Sequence, residues 1–193
     1  KDTRIGAATF LASMIDFSEP GDLGIFIDER QLQSLEARMK ARGFLDGREM
    51  AATFNMMRAN ELIWAFVIHN YLLGKDPIPF DLLYWNGDST RMTATMHSFY
   101  LRAMYLENKL IEPGGITLAG TTIDLGRINL PKFILATRDD HIAPWKSAYA
   151  GVHAYGGPVK FCLGASGHIA GVINPPSSGK YAYWTNSRKP KNP

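Results

Sequence analysis

Two stretches decide the fold: Phe133-Ile134-Leu135-Ala136-Thr137-Arg138-Asp139-Asp140-His141-Ile142-Ala143-Pro144, and Val159-Lys160-Phe161-Cys162-Leu163-Gly164-Ala165-Ser166-Gly167-His168-Ile169-Ala170-Gly171. Each opens as a short β-rich run, Phe133–Thr137 or Val159–Leu163, and breaks into a turn that carries titratable side chains. Between them Pro144–Tyr155 has the length of one helix, with Pro144 suited to its first turn. Strand, acid turn, helix, strand, histidine turn is a parallel crossover, so the chain reads as α/β. Ligands of such sheets sit beyond the carboxyl ends of the strands, where both turns fall.

Upstream, Ala7–Phe17 is a nearly continuous apolar run, suited to a strand buried on both faces. The turn Ser18-Glu19-Pro20-Gly21 closes it. Helical spacing then predicts helices over Asp28–Ala41 (Leu32, Leu35, Met39), Gly47–Asn55, Ala59–Leu73 (Leu62, Phe66, Tyr71, Leu72) and Thr93–Leu110. Asp76-Pro77-Ile78-Pro79 interrupts this series, and an aromatic-rich segment, Phe80–Trp85, follows it. Past Pro113-Gly114-Gly115, the runs Ile116–Leu118 and Thr122–Leu125 predict a hairpin around Ala119-Gly120-Thr121. The tail from Pro175, rich in Pro, Ser, Lys and Asn, is expected to fray. The resulting division is a core strand in 1–17, a mainly helical insertion in 18–113, a core segment in 114–176 and a tail in 177–193. Three strands are too few for a covered parallel sheet, so further strands are expected outside this sequence.

Composition narrows the classes. With 46% apolar and 20% charged residues in 193, one globular domain with an insertion is expected, not a disordered chain. No apolar run approaches the roughly 18 residues of a membrane span, and no secretory signal pattern opens the sequence. A single cysteine, Cys162, excludes an internal disulfide and suits a reducing cytoplasm. The net charge of +3, with Arg188, Lys189 and Lys191 in the tail, suits an anionic ligand such as a CoA thioester; solubility alone is the simpler account. Nothing in the charge pattern calls for nucleic acid.

The two turns are also what the closing half of an α/β-hydrolase carries, where a carboxylate orients an imidazole that serves a nucleophile. Asp139 and Asp140 compete for the acid, and spacing does not separate them. His168, flanked by Gly167 and by Ala170-Gly171, is the candidate base. His141 reads as a local structural residue. Cys162 lies inside a strand, away from any Gly-flanked turn, and reads as core. No Gly-x-Ser-x-Gly or Gly-x-Cys-x-Gly elbow occurs, so no nucleophile is assigned within this chain. No metal or organic cofactor is called for.

The segments RDDHIAPW (Arg138–Trp145) and LGASGHIAGVINPP (Leu163–Pro176) closely resemble class I polyhydroxyalkanoate synthases. So do IDFSEPG (Ile15–Gly21), RANELIWAFVIHNYLLGKDPIPFDLLYWNGDSTRM (Arg58–Met92) and HSFYLRAMYLENKL (His97–Leu110). The likeness runs from Ala8 to about Asn186. It implies the C-terminal part of an α/β-hydrolase domain with an inserted helical cap, and a Cys–His–Asp triad whose cysteine lies upstream of Lys1. It also implies polymerisation of (R)-3-hydroxyacyl-CoA, 3-hydroxybutyryl-CoA above all, with release of CoA. By the same likeness the acid before His-Ile-Ala-Pro is Asp140, the histidine of Ser-Gly-His-Ile-Ala-Gly is His168, and the isolated chain is inactive. The implied partners are the growing polyester, the cytoplasmic granule surface and a second copy of the chain, with no cofactor, the CoA thioester being substrate and CoA product. The aromatic set Phe80, Tyr84, Trp85, Phe99, Tyr100 and Tyr105 falls in the cap, as a substrate channel or as cap packing. Two other classes are kept: an esterase or polyester depolymerase with serine in the elbow, and an inactive segment with a binding role only.

Overall fold

A computed structural model describes residues 4–77 and 88–191; the whole of the aromatic-rich segment 80–85, and with it Phe80, Tyr84 and Trp85 of the aromatic set, lies outside the described residues. The described residues divide into two compact units, Arg30–Phe99 and the residues on either side of it. The chain opens with strand β1 (Ala8–Leu11). It leaves the strand at Ala12, whose φ of 47° ends the extended run well before Phe17. Ile15 and Phe17 are nonetheless buried. The expected burial of both strand faces is not met, because Thr9 and Leu11 are exposed along the sheet edge.

Helix α1 (Glu29–Arg42) follows, with Glu29 in its first turn and Lys40 and Arg42 in its last, which suits the helix dipole. Leu32 and Met39, two turns apart, are its buried positions. Gly43, at φ 84°, takes the left-handed conformation that ends the helix, and its N–H donates to Met39 O at 2.7 Å. Strand β2 (Phe44–Leu45) leads to α2 (Gly47–Met57), whose N-cap Asp46 accepts from Arg48 N at 3.0 Å. The expected regular helix over Ala59–Leu73 is instead two wide-turn segments, Asn60–Trp64 and Val67–Leu72. Strand β3 (Met92–Thr93) pairs antiparallel with β2 and runs into α3 (Ala94–Tyr100), which continues as a wide-turn segment, Leu101–Leu106. That helix stops short of Leu110 because Asn108 turns left-handed, at φ 50°.

The rest carries the sheet. Strands β4 (Ile116–Leu118) and β5 (Thr121–Ile123) form the expected hairpin, closed by Ala119 and Gly120, both at positive φ. Strand β6 (Lys132–Thr137), helices α4 (Trp145–Tyr149) and α5 (Gly151–Ala154), and strand β7 (Val159–Gly164) make the parallel crossover. The single helix expected over Pro144–Tyr155 is thus two pieces separated at Ala150. The close packing of the second explains its Gly151, where a Cβ would lie 3.1 Å from Ile134 and Tyr155 and 3.2 Å from Ile15.

The sheet runs β1-β6-β7-β8, the first three parallel. Its fourth strand, β8 (Tyr183–Thr185), is antiparallel to β7 and comes from the tail expected to fray. The free edge of β7 supplies what a polar tail lacks locally, a row of unpaired backbone groups for the β-forming Tyr183, Trp184 and Thr185. Ile134 and Ala136 of β6 are completely buried against Ala148, Tyr149 and Val152. Truncating Ile134 to Ala would cost about 3 kcal/mol. The mixed, largely parallel sheet with its crossover helices is an α/β architecture. Among the described residues no helix is long and apolar enough to cross a membrane.

Candidate active site

Strands β6 and β7 stay in register to their last residues, Thr137 opposite Gly164. Beyond them the turns remain tied by backbone bonds, Arg138 N to Gly164 O at 2.8 Å and Asp139 N to Ser166 O at 3.1 Å. The acid turn then folds on its own carboxylate: Asp140 Oδ1 accepts from Ile142 N at 2.9 Å and from Ala143 N at 2.8 Å. This points Asp140 inward, and its side chain is fully buried. Asp139 turns outward to the exposed Arg138 guanidinium, at 2.9 and 3.2 Å.

The histidine turn is shaped by Ser166, at φ 73°, and by one helical turn in which Gly171 N donates to Gly167 O at 3.0 Å. Gly171 cannot carry a side chain: a Cβ there would lie 2.4 Å from Thr137 Cγ2 and 2.5 Å from Ala165 O. The end of β6 therefore packs directly beneath the turn that holds His168. The result is a His168 Nδ1 to Asp140 Oδ2 hydrogen bond of 2.7 Å, with the imidazole about one-third exposed at 34%.

The electrostatics follow. The hydrogen bond to Asp140 lifts the His168 imidazole above its usual range, against the effect of burial. Burial pushes the Asp140 carboxyl up, but the bonds from His168 and from the Ala143 and Ile142 N–H groups outweigh it and hold it below the usual carboxylate range. Asp140 thus stays ionised and fixes Nδ1 as the donor, leaving Nε2 for another partner. His168 lines a cavity of about 450 Å³ together with Leu11, Met14, Phe17, Tyr105 and Ile142. Phe17, Tyr100 and Tyr105 pack there edge to face, with centroids 4.8 to 6.3 Å apart. Asn108 anchors this wall by accepting from Phe17 N at 2.7 Å and donating to Asp16 Oδ1 at 2.8 Å.

Of the residues singled out from sequence, the structure brings together Asp140 and His168 and leaves Asp139 apart. Cys162 is buried in β7, opposite Leu135 and Thr185, and burial pushes its thiol up, away from thiolate. Thr137 and Gly171, which set the spacing of the two turns, and Asn108 were not legible as site residues. Only the glycine offered a signal.

No protein-family profile matches the chain. Among curated proteins it is 55% identical over 184 residues to the poly(3-hydroxyalkanoate) polymerase subunit PhaC of Rhizobium meliloti, covering 95% of this chain and 30% of that protein. It is 50% identical over 183 residues to the poly(3-hydroxyalkanoate) polymerase of Methylorubrum extorquens, covering 94% of this chain and 30% of that one. To the PhaC subunit of Cupriavidus necator it is 44% identical over 192 residues, covering 97% and 33%. The chain is homologous to part of the poly(3-hydroxyalkanoate) polymerases. It spans about a third of the length of these polymerases.

Proposed function

We propose that this chain is the acid- and histidine-bearing part of a polyester synthase that polymerises (R)-3-hydroxyacyl-CoA with release of CoA. The observation that carries the reading is the 2.7 Å bond between a fully buried carboxylate and a partly exposed imidazole, set on adjacent parallel strand ends beside an apolar cavity. Homology to the polymerases supplies the reaction class. The reading includes an α/β-hydrolase core, a mainly helical cap within 18–113, and a cysteine nucleophile on a sharp elbow outside these residues. It also takes the enzyme to act as a homodimer at cytoplasmic polyester granules, with no cofactor, the CoA thioester being its substrate.

In this mechanism the cysteine thiol gives its proton to His168 Nε2, and the thiolate attacks the thioester carbon. Collapse of the tetrahedral intermediate breaks the carbon–sulfur bond to CoA, and the imidazolium returns the proton to the leaving thiolate. The 3-hydroxyl of the next monomer then attacks the acyl-cysteine, with His168 taking its proton, so an ester forms and the cysteine is released. Asp140 remains ionised throughout and holds the imidazole in the required tautomer. The apolar wall around Phe17 and Tyr105 disfavours water as a competing acceptor.

The longest polypeptide of the reading frame that contains this chain is the object to test. A Gly-x-Cys-x-Gly elbow upstream, CoA release from 3-hydroxybutyryl-CoA, and its loss in His168→Gln are the expected results. A serine in that elbow with ester hydrolysis would make the protein an esterase or depolymerase instead. The 193-residue chain by itself is expected to release no CoA.

A further inference from the structure

The tail strand does more than extend the sheet. Its Tyr183, Trp184 and Thr185 pair with Gly164, Leu163 and Cys162, the residues leading directly into the histidine turn, and Ala165 N donates to Ala182 O at 2.8 Å. The Trp184 ring lies beneath the Arg138 guanidinium, with 5.7 Å from Cζ to the centroid. Arg138 grips the Asp139 carboxylate through two bonds, and Asp139 N donates to Ser166 O, two residues before His168. The contacts form a closed path: tail strand, Arg138, Asp139, histidine turn and back through β7 to the tail strand.

We infer that Trp184, Arg138 and Asp139 form an outer clamp that holds the acid and histidine turns in the spacing the Asp140–His168 bond requires. Trp184 and Arg138 are positioning residues, acting through the turns and touching neither reacting group. The clamp also gives the acid not used in the pair a task. Asp139 faces outward because its carboxylate completes the link to Arg138 while its N–H ties the two turns. The role in turnover rests on the polyester synthase reading, whereas the effect on the pair does not.

The test has two arms. In the longest polypeptide of the reading frame, NMR titration of the His168 imidazole reads the pair directly, whatever that polypeptide's activity. Trp184→Ala and Arg138→Met are expected to lower the His168 pKa toward its ordinary value, while Trp184→Phe keeps an aromatic face and restores it. Arg138 is exposed on the surface, so its replacement leaves the fold intact even where Trp184→Ala frays the tail. The Trp184→Ala/Arg138→Met double variant is expected to shift the pKa no further than either single one, since both break the same path. In the longest polypeptide, each single variant is expected to slow CoA release about threefold, the effect of an exposed cation–π contact, and to move the acid limb of the pH profile down. An unshifted pKa in Arg138→Met, or additive shifts in the double variant, overturns the clamp. Expected shifts in a polypeptide that releases no CoA would leave the clamp standing and remove the polyester synthase reading.

Discussion

The two ends of strand β6 each bury a charge, and they treat it differently. At the entrance Lys132, only 4% exposed, spends its ammonium on three backbone carbonyls, Ile128 O at 2.8 Å and Leu130 and Gly156 O at 2.6 Å. At the exit Asp140 gives one oxygen to backbone N–H groups and the other to His168, a side chain that can itself gain or lose a proton. A charge saturated by backbone has nothing left to exchange and serves to hold loops together. A charge that shares its bond with a titratable, partly exposed group can serve chemistry. The same strand thus leads from a structural pole at its first residue to a reactive pole three residues past its last, Thr137.

Breaking the reactive pole gives the largest expected effect. In the longest polypeptide Asp140→Asn should lower CoA release about a thousandfold, since the imidazole loses its anionic anchor and its tautomer. Chain elongation should suffer more than single-turnover acylation, because an alcohol is harder to deprotonate than a thiol. Equal losses in the two steps would count against the alcohol step depending more on the Asp140–His168 pair than the thiol step does. At the other pole, Lys132→Met should cost about 3 kcal/mol in urea unfolding, because it leaves three inward carbonyls without their donor. Its CoA release per folded molecule should stay unchanged. A large catalytic loss in Lys132→Met, or a stability loss as great in Asp140→Asn, would erase the distinction between the poles.

The sequence discloses these poles unequally. The strands β6 and β7 and the crossover between them are legible because their apolar runs and turn residues are local signals. The acid turn is half legible. Two adjacent aspartates are equivalent by spacing, and the choice is made by Asp140 bonding the N–H groups of Ile142 and Ala143. Lys132 is not legible, since its burial depends on carbonyls from Ile128 and Leu130 and, 24 residues on, from Gly156. Strand β8 is missed for the same kind of reason: three residues in a polar tail become a strand only because β7 offers an edge. The wide-turn segments Asn60–Trp64 and Val67–Leu72 carry an apolar pattern that helical spacing reads as a regular helix, although Tyr71 and Leu72 are exposed.

The reactive pole also has a pH signature in the acidic-to-neutral range. His168 is raised above its ordinary 6.5, so its contribution to stability is complete below that value and lost as pH rises through its folded pKa. Asp140 is lowered below 3.8, so its contribution is complete above that value and lost as pH falls through its folded pKa. Their joint contribution is therefore full between 3.8 and 6.5. Subtracting the urea-unfolding stability of His168→Gln from that of the unmutated chain should leave a difference greatest in that window and shrinking on both sides. A difference that rises steadily through pH 6.5 would mean that the pair is not ion-paired. Catalysis lies on the opposite side of the same titration, because the base must be neutral to accept a proton. The acid limb of CoA release should accordingly sit above 6.5.

The smallest effect is expected at Cys162, and it guards the comparison from a third claimant. This thiol sits two residues before the end of β7, close in sequence to the reactive pole, yet it is buried between the register neighbours Leu135 and Thr185. A nucleophile needs a thiolate beside a base, and burial drives Cys162 the other way, the nearby Lys160 offsetting only part of it. Cys162→Ala should therefore cost about 1 kcal/mol as a small core truncation and leave CoA release in the longest polypeptide at its unmutated rate. Abolished CoA release in a folded Cys162→Ala protein would place the nucleophile inside the sheet. The reactive pole would then have to include β7 itself, with the strand opened to substrate.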